Sequence, residues 1–159
     1  MIRRQSNPDE QAGTILAELR QTSLNLLARR EHSVLELRHK LTRRGFPLPL
    51  VEVVLERLVA EDLLSDSRYA EVYANTRIDK GYGPLRVDRE LRERGVSDDA
   101  IAAILKDLED FWVKKLVQVH RKRFGGVKPT DLAEQMRQMR FLRHRGFTID
   151  QIKNLFRRE

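Results

Sequence analysis

Apolar residues recur along this chain at three- and four-residue spacing with broad polar faces between them, a pattern that predicts helices throughout. The first twelve or so residues are polar, contain Pro8 and show no period, so a loose tail is expected over 1–14. From Ile15 the period sets in: Ile15, Leu16, Leu19, Leu26 and Leu27 line one face of a helix ending near Arg30. Ser33 with Glu36 spells a capping box and opens a second helix through Leu37 and Leu41 to Arg44, while Val51, Val54, Leu55 and Leu58 mark a third. Ser65 or Asp66 caps the next, which carries Tyr69, Val72, Tyr73 and Thr76 at helical spacing. Gly83 and Pro84 then open a helix that Gly95 closes. Proline's missing donor costs nothing at the first helical position, and glycine readily takes the left-handed closing conformation. Ser97 to Asp99 start a further helix on Ile101, Ile104, Leu105 and Leu108. Phe111, Leu116 and Val119 belong to one that finishes by Gly125 and Gly126. Thr130 caps a helix carrying Leu132, Met136, Met139 and Leu142, and Asp150 lies near the start of a last one with Ile152, Leu155 and Phe156.

Aligning Gly45, Gly95 and Gly146 exposes a repeat of 50 and then 51 residues. Four places earlier stand Leu41, Leu91 and Leu142; immediately before are Arg44, Arg94 and Arg145; immediately after are Phe46, Val96 and Phe147. Apolar residues also agree six, nine and ten places on, at Val51, Ile101 and Ile152, at Val54, Ile104 and Leu155, and at Leu55, Leu105 and Phe156. The unit reads helix, helix, Arg-Gly-apolar turn, helix. The fold class expected is all-α, a tandem array of three three-helix repeats over 15–64, 65–109 and 110–159, elongated and curved because so small a unit packs on its neighbour. The repeated apolar columns are core. The repeated arginines either satisfy carbonyls at helix C-termini or form a spaced row of cations for a repetitive partner.

Charge adds a direction to this picture. The chain of 159 residues carries a net charge of +7, and residues 110–159 hold 13 Lys and Arg against 5 Asp and Glu. That asymmetry favours a polyanion or an acidic protein surface as partner. Lys114, Lys115, Arg121, Lys122 and Arg123 on one helix, and Arg137, Arg140, Arg143 and Arg145 on another, are candidate phosphate contacts. In the stretch Lys80 to Gly95, Lys80 and Arg86, with Arg77 nearby and Arg94 in the repeated turn, are candidate partner contacts. Tyr82, in a glycine loop beside Lys80, can either stack on a base or pack against the adjoining helix.

Other chemistries find little footing. Without cysteine there is no disulfide framework or thiolate metal site, which suits a reducing compartment, and cytoplasm is the default. No apolar run approaches a membrane span. His32, His39, His120 and His144 lack ligand spacing, no Ser or Thr stands beside a recognisable base, and no phosphate-cradling Walker motif follows the GYG loop. No catalytic residue, metal or cofactor is expected.

The runs RREHSVLELRHKLTRRGF, VLERLVAEDLLSDSRYAEVY and KGYGPLRVDRELRERGVSDDAI closely resemble the bacterial RecX regulatory family over about residues 24 to 105, and the rest more loosely. Arg77, Lys80, Gly81, Gly83, Pro84, Arg86, Glu90, Leu91, Arg94 and Gly95 match that family's signature segment. The third repeat departs from the others at Gln138, where they have Leu37 and Val87, and in a longer GGVKPTD linker. The resemblance implies a non-enzymatic, monomeric cytoplasmic regulator in DNA repair, recombination and the SOS response. Its implied partners are RecA and the RecA–DNA filament, whose strand exchange and ATP hydrolysis it restrains, with DNA itself a further ligand. An autonomous nucleic-acid-binding protein using the basic last third is the alternative.

Overall fold

The structure, a computed structural model, describes residues 7–158. Its described residues form nine helices and no strand: α1 (Pro8–Arg29), α2 (Val34–Arg43), α3 (Leu48–Ala60), α4 (Asp66–Asp79), α5 (Pro84–Glu93), α6 (Asp98–Asp107), α7 (Glu109–Phe124), α8 (Leu132–His144) and α9 (Ile149–Arg157). They follow one another as three helical triplets, as the repeat predicts. By packing, the chain divides into one unit over residues 1–69 and a second over 70–159, the boundary falling inside α4.

The first unit is built from α1, α2 and α3 around Leu19, Leu26, Leu37, Leu41, Val51, Val54, Leu55, Leu58 and Leu64. The expected tail is corrected over residues 8–14, which are helical; residues 1–6 lie outside those described. Pro8 opens α1 because it occupies the first turn, where no donor is needed, with the Asn7 side chain accepting from the Asp9 amide and Asp9 and Glu10 facing the positive end of the dipole. The capping box at Ser33 is half made. Ser33 accepts from the Glu36 amide, but the Glu36 carboxylate turns to Arg30 at 2.5 and 3.0 Å. Ser65 caps α4 through the Arg68 amide, and Asp66 instead accepts from the Val34 amide at 2.8 Å.

In the second unit α5 packs on α6, α6 on α7, and α7, α8 and α9 on one another. Its core holds Val87, Leu91, Val96, Ile101, Leu108, Trp112, Leu116, Leu142, Phe147 and Ile152. The repeat columns at Leu41, Leu91 and Leu142 and at Val51, Ile101 and Ile152 are all essentially excluded from solvent. Several phase assignments need correction. On α4 the buried line is Tyr69, Ala70, Ala74 and Ile78, whereas Val72 is exposed. Val72 stands two residues from both Ala70 and Ala74, about 200° around a 3.6-residue helix, so it turns outward when the Ala70, Ala74 and Ile78 line turns inward. On α8 Leu132 and Met136 are exposed and Gln138 is buried. The cap of α8 is Asp131 accepting from the Glu134 amide at 2.8 Å, one residue beyond Thr130. Leu108 takes non-helical dihedrals of −100° and 9°, so α6 stops there and α7 starts afresh with Trp112 in the core and Phe111 outside. Thr148 and Gln151 complete a reciprocal capping box on α9, which strengthens a start expected from Asp150 alone.

Two helix ends meet head to tail in this unit. The amides of Gly83 and Leu85, at the donor-rich N-terminus of α5, donate to the carbonyls of Arg145 and Gly146 past the end of α8, at 2.8 and 2.9 Å. Each end satisfies orphan groups of the other.

Candidate functional site

The signature stretch converges on one carboxylate. Glu90 of α5 has its side chain 12 % exposed and accepts from Arg77 through Nε at 2.8 Å and a terminal nitrogen at 2.6 Å, from Arg86 Nε at 3.0 Å and from the Tyr73 hydroxyl at 2.6 Å. Burial alone would push Glu90 up, but hydrogen bonds from Arg77, Tyr73 and Arg86 outweigh it and hold the carboxyl down at about 2. Burial, reinforced by the bond to Glu90, pushes the Tyr73 phenol up to about 12, keeping it a donor. Arg94 closes the group: it donates to the Glu90 backbone carbonyl at 2.9 Å and its guanidinium lies 4.5 Å from the Tyr73 ring centroid.

Tyr82 lies against this network. The guanidiniums of Arg86 and Arg77 are 4.0 and 4.2 Å from its ring centroid and that of Arg145 is 5.3 Å away. Of its two readings, packing against the protein therefore describes this structure; the ring is already occupied by cations. Arg77, Arg86 and Arg94 are committed to internal bonds, whereas Lys80 at the end of α4 is exposed. The three repeated arginines behave differently: Arg94 satisfies a carbonyl of its own helix, Arg145 donates to the Lys80 carbonyl at 3.4 Å, and Arg44 is exposed.

Beside this network, in the same unit, lies a cleft of about 320 Å³ between the end of α4, α7 and α8. Lys80, Lys115, Lys122, Arg123 and Arg145 line it, with Val119 and Phe141 as its apolar wall and Asp79 as its one carboxylate. Among the described residues none of these five cations is ion-paired to a carboxylate. Arg145 and Arg123 lie 5.6 and 5.4 Å from the Phe141 ring centroid, which braces both. Lys114 and Arg121 lie on α7 but do not line the cleft, and Lys114 approaches the exposed Phe111 ring at 5.9 Å. Arg140 and Arg143 are exposed on α8 outside it. Arg137 is engaged by Glu134 through two bonds of 2.8 and 2.9 Å, and those bonds with Gln138 hold Glu134 at about 2.

The sequence groups Lys80 with Arg86 and the basic residues of the last third with one another. The structure regroups them, placing Arg86 on Glu90 and Lys80 with the cations of α7 and α8. Glu90, the centre of the first group, carries a sequence signal as the only acidic member of the signature besides the basic residues around it. Among the described residues no three His, Cys, Asp or Glu side chains are gathered to hold a metal ion, and no helix is long and apolar enough to cross a membrane.

Comparison with known proteins gives the same picture for all three triplets. Models of the RecX first, second and third three-helix domains match residues 20–58, 65–105 and 109–156. The regulatory protein RecX of Halorhodospira halophila is 45% identical over 143 residues, covering 90% of this chain and 89% of that protein. That of Pseudomonas syringae pv. tomato is 44% identical over 137 residues, covering 86% and 88%. Among solved structures, RecX from Lactobacillus salivarius superposes with a TM-score of 0.78 at 21% identity, covering 90% of this chain and 95% of that one. A second crystal structure of regulatory protein RecX gives 0.82 at 18% identity, covering 100% and 79%. These two support the fold.

Proposed function

This chain belongs to the RecX family of regulatory proteins, and from that premise we propose that it binds RecA and its nucleoprotein filament and inhibits strand exchange and ATP hydrolysis. It acts as a monomer in the cytoplasm, as a binding protein and not an enzyme. The observation that carries this reading is the family match over all three helical triplets together with the excess of cations in the last third. A polymer of protein and DNA presents a repeating, partly anionic surface, and a chain of repeated modules can add small contacts along it. Lys80 is the signature cation best placed for such contact, being exposed while Arg77, Arg86 and Arg94 are held internally.

Titration into a RecA ATPase assay tests the proposal. Inhibition well below one copy per RecA protomer is expected, and no inhibition at any ratio would refute it. The unpaired cations of the cleft favour a second reading, a nucleic-acid-binding protein whose contact with RecA is incidental. Inhibition that vanishes when free DNA is added in excess would favour that reading.

A further inference from the structure

We propose that the cleft between the end of α4, α7 and α8 is a phosphate-binding site that takes the backbone of a single-stranded nucleic acid. The inference rests on the reading that this protein works on a nucleoprotein filament, and it assigns the part of the molecule that meets the strand.

Three independent observations point to an anion. First, Lys80 just past the end of α4, Lys115, Lys122 and Arg123 on α7, and Arg145 just past the end of α8 come from distant parts of the sequence, yet line one cavity. Gathering like charges is unfavourable unless a counter-charge shares the site. Second, these cations have no carboxylate partner among the described residues, although Arg77, Arg86 and Arg137 in the same unit are all paired. Third, the arginines are set in advance. The Phe141 ring braces both, and the Lys80 carbonyl and Tyr82 ring hold Arg145. A guanidinium fixed this way presents its donor fork to phosphate with little further ordering.

The wall is kept close by Gly81. Its φ is +85°, and a Cβ there would meet a Val119 methyl at 3.1 Å and Arg145 at 3.9 Å. A concave site of this size admits one phosphate and its sugar from a strand that can bend into it. The stiff, convex backbone of a duplex presents its phosphates less deeply. Asp79 is the single opposing charge, so it sets an upper bound on affinity that its removal should lift.

The test is fluorescence anisotropy of a labelled oligothymidylate titrated with the full chain, with no recombinase present, at low and moderate salt. The K80E/K122E double variant is expected to bind about tenfold more weakly or worse, with the salt slope reduced by about 0.7 for each cation lost. K106E, an exposed charge on α6 away from the cleft, should bind as the parent does. D79N should bind severalfold more tightly, an effect that a merely structural Asp79 would not give. Thermal melts of each variant establish that it is folded. Equal binding of parent and K80E/K122E, or equal affinity for duplex and single strand, would overturn the proposal. Inorganic tripolyphosphate should compete with the oligonucleotide; binding of tripolyphosphate without any binding of the strand would overturn the assignment to nucleic acid. Because RecA is absent, failure here is distinct from failure of the regulatory reading, which the ATPase titration decides.

Discussion

Gly83 and Gly146 stand so close that neither can carry a side chain: a Cβ on Gly83 would lie 2.4 Å from the Gly146 carbonyl carbon, and one on Gly146 would lie 2.6 Å from the Arg86 Cβ. The contact joins the second helical triplet to the third, through the amides that α5 donates to the end of α8. Gly83→Ala should therefore destabilise the second unit by about 3 kcal/mol, because the atoms it meets are backbone and cannot step aside. Gly45→Ala is the control. Its φ of +92° disfavours a side chain, but nothing lies within 4 Å, so the cost should be near the conformational penalty alone, about 1 kcal/mol. Thermal unfolding followed by circular dichroism compares the two, and equal melting temperatures would contradict the steric account.

Acid should loosen the second unit through Glu90. Its carboxyl is held at about 2 in the folded chain against an ordinary value of 4.5, so the unfolded chain binds more protons between those values. The associated stability, about 3 kcal/mol at most, is fully present above about pH 4.5 and is lost as the pH falls through 2. Glu90→Gln should remove this dependence and destabilise the protein at neutral pH by a similar amount, since Arg77 and Arg86 lose their counter-charge. Denaturant melts at pH 7 and pH 3 on both proteins measure it.

Lys80 and Arg86 should separate on mutation although they lie six residues apart. Lys80→Glu is expected to weaken inhibition of RecA while changing stability by less than about 0.5 kcal/mol, because the lysine is exposed. Arg86→Glu sets a second carboxylate beside Glu90 and removes a cation from the Tyr82 ring, and should destabilise by about 2 kcal/mol. ATPase inhibition measured beside a thermal melt resolves the two effects. A stable Arg86→Glu protein would show that the network matters less than its geometry suggests.

Replacing Gln138 by Leu would restore the residue found at the matching place in the first repeat, yet it should destabilise. Gln138 is 1% exposed, and its amide oxygen lies 2.7 Å from Nε2 of the buried His120 while its amide nitrogen donates to the Val127 carbonyl at 3.1 Å. Leucine would leave the buried His120 nitrogen without its partner and remove the amide's bonds to the Val127 carbonyl and to Glu134, at about 2 kcal/mol. A variant as stable as the parent would mean that solvent reaches these groups freely.

The sequence by itself determined the helices and their threefold recurrence, because helical period, caps and the glycine closing each Arg-Gly turn are all local: Ser33, Gly95 and Ser97 act within a few residues of themselves. It did not fix the start of α1 or the inner line of α4. A weakly patterned start such as 8–14 depends on a cap, and the spacing of Ala70, Ala74 and Ile78 competes with that of Val72 and Thr76, so the sequence offers two faces of α4 and only burial chooses between them. The rest of the partition of the cations was decided by tertiary structure. The Arg86–Glu90 pair is local, four residues apart on α5, but folding brings Arg77 and Tyr73 of α4 to the same carboxylate and carries Lys80 to Lys122 and Arg145, more than forty residues away. Whether a charge is spent inside the protein or left for a partner depends on which opposite charge the fold delivers, and that is a property of distance in space.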